Sequence, residues 1–443
     1  MSSYTERRQA LIRELRASGA KELGLRKSTS NLFRDRAAAP KQRLDVTPFD
    51  HVLKVDAQHG WVEVEGMTPY DVLAATTLQQ NLMPCVVPQL KSITIGGAVA
   101  GVGIEASSFR RGLAHETMLE LEVLLGDGSI VLCTPENEHR DLFYGFPNSY
   151  GTLGYALRVR AQTTPTKPYV KVTYLRHTDP SAYFAQLAEL CRTPDVDFLD
   201  GVVFSADELY ICVGRFVDAA PYTSDYTFES IYYCSIRSRD LDYLTTECYL
   251  WRWDTDWFWC SKNLGAQIPA VRRLLGRDRL NSRFYTKVMR FNSRWHLTRL
   301  LDRLSGFRHR EPVIQDVDVP IERAAEFLDF FRREVGILPV WICPIGTRGC
   351  WTLYPMDPGK IYVNFGFWDV VRRHSTHAPG HFNRLVERKV RELGGIKSLY
   401  SDSYYTADEF WEIYNGKAYL ALKQRYDPGG AFRNLYEKCV LRK

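Results

Sequence analysis

The sequence predicts a mixed α+β protein of two domains. Its 443 residues exceed what one ordinary hydrophobic core accommodates. A hydrophobic share of 45% beside 25% charged residues is that of a folded globular chain. Residues 24–165 are strand-rich, and strand and helix patterns alternate from Tyr169 to about Leu393.

In chain order, Leu11, Ile12 and Leu15 predict a short amphipathic helix in a charged N-terminal stretch that lacks the apolar core of a signal peptide. His51–Val55 and Trp61–Glu65 alternate apolar and polar residues around a turn at Gly60, as a hairpin does. Thr68 and Pro69 predict a helix start, with Thr as the cap. Leu119–Leu125 and Ser129–Cys133 flank Gly126-Asp127-Gly128, a second hairpin. Gly154–Gln162 alternates as a strand, and Pro165-Thr-Lys-Pro168 marks a boundary. Beyond it, Ser181–Cys191 and Ile321–Glu334 predict helices. Leu199–Val217 predicts two short strands, and Val340–Cys343 and Ile361–Phe365 predict buried ones. A Tyr-rich stretch after Gly394-Gly395 leads to one helix over Glu409–Lys423.

The function-bearing stretch is Pro88–Gly112, with five glycines from Gly96 to Gly112. Glycine permits positive φ and close backbone approach, and consecutive free amides form a concavity for a pyrophosphate. A dinucleotide site is the reading. Gly101-Val-Gly103-Ile-Glu-Ala106 fits the Rossmann fingerprint by letter, but Ser107–Gly112 carries no helical repeat after it, so that fold is set aside. No H-E-x-x-H, phosphate-loop or C-x-x-C motif is present. No metal is expected, and ten scattered cysteines suit a reducing cytoplasm. No run of 18 apolar residues spans a membrane.

Charge is uneven. The net charge is +6, yet Val271–Arg310 holds eleven Arg and one Lys against Asp278 and Asp302. These arginines interleave with Leu274, Leu275, Phe284, Phe291, Trp295, Leu300, Leu301 and Leu304, downstream of Trp251, Trp253, Trp257 and Trp259. Basic residues beside exposed Trp and Leu suit an anionic bilayer interface; a solvated basic face is the alternative. No groove-reading motif accompanies them, so no nucleic-acid partner is expected.

Four features, in order, resemble the flavoprotein superfamily of vanillyl-alcohol oxidase and p-cresol methylhydroxylase: Lys27-Ser-Thr-Ser-Asn31, Ile95-Gly-Gly97 to Ser108, Gly151-Thr-Leu-Gly154, and Tyr426-Asp-Pro428 with Phe432. Gly103–Ser108, Cys133-Thr-Pro135, Asp141–Tyr144, Tyr400-Ser-Asp-Ser-Tyr404 and Glu409–Glu412 are similar to delta-24 sterol reductases. Thr29–Arg34, Val87–Lys91, Phe146–Tyr150, Trp251–Trp257 and Pro339–Pro344 are similar to bacterial FAD oxidoreductases of methyl-branched fatty acyl chains.

The resemblance implies a two-subdomain PCMH-type FAD-binding domain over 1–165. A mixed α+β substrate (cap) domain follows over 166–395, with a membrane-facing segment 245–310. A C-terminal segment, 396–443, returns to the flavin. It implies FAD held by Lys27, Ser28, Thr29, Ser30, Asn31, Gln89, Thr94, Gly96, Gly97, Gly101, Val102, Ile104, Glu105, Ser107, Ser108, Gly151, Thr152 and Gly154. Covalent-flavin relatives carry an Arg-Gly-Gly-His type attachment where this chain has Ser28–Asn31, so dissociable FAD is expected.

Tyr400, Asp402 and Tyr404, with Glu105, are the catalytic candidates, a Tyr donating a proton as hydride reaches the neighbouring carbon. Trp341, Cys343, Tyr362 and Asn364 are the candidate substrate floor, while His115 reads as structural and Cys343 as packing rather than a nucleophile. The implied activity is reduction of a lipid C=C bond with NADPH as donor, most closely on a methylene-branched acyl chain of a phospholipid. A methyltransferase partner and a cytoplasmic, peripherally membrane-bound location follow from it. Sterol reduction, desaturation of a methylated acyl chain, and a flavin-free membrane or nucleic-acid binding module are the alternatives.

Overall fold

The computed structural model describes residues 3–18, 22–30, 33–34, 42–295 and 306–442. Short β1 (Leu23–Arg26) and β2 (Gln42–Asp45) pair in parallel near the N-terminal helix Tyr4–Ser18, whose Leu11 and Leu15 are buried. The first large sheet holds β3 (Val52–Asp56), β4 (Trp61–Glu65), β5 (Leu82–Pro84), β6 (Met118–Leu124), β7 (Ile130–Cys133) and β8 (Tyr155–Pro165). Its order is β3-β4-β8-β6-β7, with β5 also on β8. Both expected hairpins form, as antiparallel β3/β4 and β6/β7.

β8 ends at Pro165 and the next strand, β9 (Tyr169–His177), belongs to a second sheet. That sheet also holds β10 (Phe198–Val203), β11 (Leu209–Val217), β12 (Leu241–Thr245), β13 (His309–Pro320), β14 (Val340–Gly346), β15 (Ile361–Arg373) and β16 (Ile396–Lys397). Its order among the described residues is β12-β9-β11-β10-β14-β15-β13-β16, antiparallel throughout. The strand period of two splits it into two faces. Leu199, Val203, Ile211, Val317, Ile342 and Phe365 pack on one face with residues of the helices Pro180–Leu190, Ala324–Glu334 and His381–Glu392. The opposite face, with Phe198, Val202, Trp341, Cys343 and Tyr362, joins the core of the first sheet. This second face is where the two halves meet.

Four expectations change. Thr68 is not a cap: the helix Tyr70–Leu78 starts after Pro69 without a side-chain cap bond, and the Thr68 carbonyl instead accepts from the Ile95 amide. The expected helix over Glu409–Lys423 is two, Ala407–Ile413 and Gly416–Tyr426, because Asn415 at φ 51° takes the left-handed region and caps the second helix. β13 is not foreseen by periodicity, since its first two residues lie in the basic segment and Gln315 sits among its inward apolar residues. Finally, Trp251, Trp253, Trp257 and Trp259 are buried rather than exposed, and Arg272 is buried with its guanidinium on Asp256 at 2.6 and 3.0 Å. Trp253 and Trp259 meet each other, Tyr232, Phe258 and Trp368 in edge-on or tilted contacts, and Trp257 stacks on Tyr285, so these rings fill core volume. Leu300, Leu301 and Leu304 lie outside the described residues.

One backbone contact pins the glycine segment to the first sheet. A Cβ at Gly66 would meet the Ala156 carbonyl oxygen at 2.1 Å, and one at Gly96 the Gly66 carbonyl oxygen at 2.6 Å. The Gly96 amide donates to that Gly66 carbonyl at 2.9 Å. Backbone cannot yield as a flexible side chain does. Gly66→Ala is therefore expected to destabilise the fold by about 2–3 kcal/mol, read from chemical denaturation midpoints.

Candidate cofactor and substrate site

Thr94 caps the short helix Ile95–Ala100, its Oγ1 accepting from the Gly97 amide at 3.2 Å. The amides of Ile95, Gly96, Gly97 and Ala98 are all bonded within the protein. The consecutive free amides expected at this turn lie a few residues on. Among the described residues, the amides of Val102, Gly103 and Ile104 donate to no protein acceptor. The side chains there alternate: Ala100, Val102 and Ile104 are half-exposed, while Gly101, Gly103 and Glu105 are buried. Gly103 is small because Ala114, Ala98 and Pro88 press on it, and Gly101 because the Tyr150 ring lies 3.2 Å from a Cβ there. These glycines let the chain pack on itself, which leaves an apolar edge with unpaired amides facing outward.

The segment then docks on the second sheet. The Leu199 amide of β10 donates to the Ala106 carbonyl at 2.7 Å, and the Cys343 thiol to the Glu105 carbonyl at 3.2 Å. Gly346 leaves room for the Phe109 carbonyl. Beneath Glu105, register aligns Cys212, Asp200, Cys343, Asn364 and Asp318 as a buried row across four strand pairings. Arg252, fully buried, donates to Asp200 at 2.9 Å and lies 3.6 Å from the Glu105 carboxylate. The indoles of Trp253 and Trp341 also donate to Asp200, at 3.3 and 3.1 Å. One guanidinium thus serves two carboxylates. Burial pushes the Glu105 carboxyl up to about 8, with Arg252 opposing and Asp200 adding to the rise. Neither Glu105 oxygen has a hydrogen-bond partner.

Farther along the row, Asp318 accepts from the Tyr354 hydroxyl at 2.7 Å and from Asn364 Nδ2 at 2.8 Å. Tyr400 is half-buried, its hydroxyl accepting from the Trp368 indole at 2.8 Å and its ring meeting Phe33 edge-on. Tyr150 joins the two regions: its ring closes on Gly101 and Arg34 lies over it at 4.8 Å. Asn148 and Tyr150 both hold positive φ, at 61° and 51°. Lys438 Nζ on the Tyr150 carbonyl and Lys423 Nζ on the Thr152 carbonyl, at 2.5 and 2.9 Å, keep this bend closed.

The remaining candidates fall as follows. Lys27, Thr29 and Ser30 are half-buried and Ser28 is exposed, with Thr29 Oγ1 donating to the Ser92 carbonyl at 2.8 Å. Asn31 lies outside the described residues. Gln89 is buried beside Glu105. Ser107 donates to the Cys85 carbonyl, Ser108 accepts from the Glu105 amide, and Thr152 donates to the Ser149 carbonyl. Gly151 and Gly154 hold positive φ, and Gly154 packs on Val123 and Leu124. Trp341, Cys343, Tyr362 and Asn364 share the docking face, though the Tyr362 hydroxyl is turned to the Asp357 amide. Asp402 pairs with Arg442 at 3.4 Å, and Tyr404 stacks under the same guanidinium against Gly380. The structure therefore brings Tyr400 and Glu105 to this face and turns Asp402 and Tyr404 to another.

His115 is buried edge-on against Trp351, and burial pushes its imidazole down to about 3. Burial likewise pushes the Cys343 thiol up. Asp50, His51 and Glu65 come within ligand distance of one another, but Glu65 is engaged by Arg7 and His51. Asp200, Arg252, Asp316 and Asp318 escaped the sequence reading. Two acids alternating with valines in Asp316-Val-Asp318 were the available signal.

These features fit a flat cofactor that accepts hydrogen bonds along one edge. Three unpaired amides, an apolar edge, and the partnerless buried atoms Gln89 Nε2, Asn148 Oδ1 and Ser149 Oγ surround the glycine segment. Residues 5–134 match the family described as FAD binding domain. The protein is an FAD-dependent oxidoreductase. It is related to the delta(24)-sterol reductases: that of Homo sapiens is 28% identical over 406 residues, covering 87% of this chain and 75% of the relative. The Pisum sativum delta(24)-sterol reductase is 25% identical, covering 89% and 76%. Cytokinin dehydrogenase 10 of Oryza sativa subsp. japonica is 24% identical over 41% of this chain and 36% of its own.

Replacing Arg252 by Met leaves two carboxylates buried without a cation. The expected cost is about 3–5 kcal/mol in denaturant unfolding. Adding Asp200→Asn to that variant should recover part of it.

Proposed function

We propose that the protein reduces a carbon–carbon double bond in an apolar lipid, with a methylene-branched acyl chain of a phospholipid as substrate and NADPH as the reductant. Bound FAD supplies the hydride chemistry. In this reading the Val102, Gly103 and Ile104 amides orient the ring and the Ala100–Ile104 edge covers its apolar side. Tyr150 and Arg34 close the end near Tyr400. The sheet face bearing Trp341, Cys343 and Asn364 excludes water. Tyr400 holds the proton for the second alkene carbon, because an isolated alkene accepts hydride poorly unless protonation accompanies it.

The observation that carries this reading is Tyr400, whose hydroxyl accepts from the Trp368 indole while its ring meets Phe33 edge-on, a polar proton source beside an apolar wall. The names of the sterol reductase relatives support a lipid alkene and favour a sterol side chain as the second reading. Anaerobic mixing of NADPH with the yellow holoprotein should bleach the flavin. A methylene-branched octadecanoyl phosphatidylglycerol should then restore the colour and yield the methyl-branched lipid. Restoration by desmosterol alone would favour the sterol reading, and restoration by neither would refute lipid alkene reduction.

A peripheral position on the inner membrane face and a lipid methyltransferase partner belong to the same proposal. No helix among the described residues is long and apolar enough to cross a membrane. With the tryptophans buried, the membrane contact narrows to Ile268 and Leu274, 56% and 83% exposed beside Arg273, Arg277 and Arg279. Arg273 and Arg277 already pair with Glu229 and Asp225, which reduces their pull on lipid. The triple change Arg273→Gln, Arg277→Gln, Arg279→Gln is expected to weaken sedimentation with phosphatidylglycerol vesicles by about tenfold.

A further inference from the structure

Asp316 stands behind Tyr400. It lies on β13 opposite Gly366 of β15, and a Cβ at Gly366 would come 2.8 Å from its Oδ1 and 2.5 Å from the Trp368 indole. The missing side chain is thus what lets Asp316 and Trp368 share one notch. Trp368 donates to the Tyr400 oxygen at 2.8 Å, filling a lone pair and steering the Tyr400 proton elsewhere. The Asp316 carboxyl lies close enough to that hydroxyl for the two to interact electrostatically. The two acids of β13 differ in kind: Asp318 accepts from Tyr354 and Asn364, whereas Asp316 Oδ1 is buried without a partner. Asp316 as a residue is half-buried.

Resting on the lipid-reduction reading, we propose that Asp316 is the proton reservoir of Tyr400. The π electrons of the alkene form a C–H bond with the Tyr400 proton as the neighbouring carbon accepts hydride from the reduced flavin. The Tyr400 phenolate then takes the proton of neutral Asp316, and the resulting carboxylate takes one from water. Two electrons leave the flavin and one proton leaves solvent for each bond reduced. Asp316 is a positioning and relay residue, and Tyr400 is the group that touches substrate.

The groups facing Asp316 are Tyr400, Asp318, Asn364 and Tyr150, with Arg34 behind Tyr150. Burial, reinforced by Asp318 and opposed by Tyr400 and Asn364, pushes the Asp316 carboxyl up to about 7. It therefore holds its proton near neutrality, where an exposed aspartate has lost it. A carboxyl raised on folding contributes stability below its unfolded value that is lost as pH rises through the folded one. The apoprotein melting temperature should fall between pH 5 and pH 8, and less so in Asp316→Asn, although Glu105 and Asp318 contribute the same sign in both proteins.

The decisive experiment mixes dithionite-reduced holoenzyme anaerobically with micelles of methylene-branched octadecanoyl phosphatidylglycerol and follows flavin reoxidation from pH 5 to 9. The wild-type rate should fall as pH rises through about 7. Tyr400→Phe should slow the step by about a hundredfold and Asp316→Asn by at least about tenfold, within the range of general-acid effects. The double variant should be no slower than Tyr400→Phe, because both act through one proton. Wild-type reoxidation that is independent of pH, or an Asp316→Asn variant with the wild-type rate and profile, overturns the relay and leaves lipid reduction standing. Wild-type enzyme that is not reoxidised by the lipid overturns the reading and the relay together. The pH profile needs no variant, so a poorly folding substitution does not spare the proposal.

Discussion

The architecture depends on how residues 105–109 are seated on the second sheet. One backbone hydrogen bond from Leu199 to Ala106, one thiol contact from Cys343, and the absent side chain of Gly346 join the glycine segment to strands that follow it by about a hundred residues or more. Because the join is made by backbone, it fixes distance more tightly than side-chain packing does. Glu105 is consequently forced under the surface, and its charge must be answered from the far side. Arg252 gives that answer, which makes the cation of the second half part of the floor beneath the cofactor segment. Continuous contact of this kind makes the two halves one core.

Polar groups on the docking face fall into two kinds. Asp318 has a donor on each oxygen, from Tyr354 and Asn364, whereas Asp200 takes Arg252, Trp253 and Trp341 all on Oδ2 and leaves Oδ1 without a donor. Glu105 and Asp316 keep oxygens without donors and sit at the ends of the site nearest the glycine segment and Tyr400. A buried oxygen with no donor costs free energy that a merely structural residue would shed.

Much of this was legible in the sequence. Period-two alternation located β3, β4 and β8, and the glycine spacing located the cofactor segment, since both are local signals. The four tryptophans from 251 to 259 were misjudged because proximity to arginines says nothing about which residues face inward. Arg272 shows the same point, its charge being spent on Asp256 inside the protein. β13 and its acids were hidden because alternation broken by Gln315 and Asp316 resembles a surface loop. Tyr400, Asp402 and Tyr404 were equivalent by sequence. Only Trp368 and Arg442, brought in from elsewhere in the chain, tell them apart.

The bend at 148–154 carries a consequence for biogenesis. Its left-handed residues are locked by ammonium groups from Lys423 and Lys438, which leave the ribosome some 270 positions later. A nascent chain that has already paired β4 and β6 with β8 still lacks the cations that hold this wall shut. The wall beside the cofactor segment is thus closed only by residues made long after the strands of the first sheet.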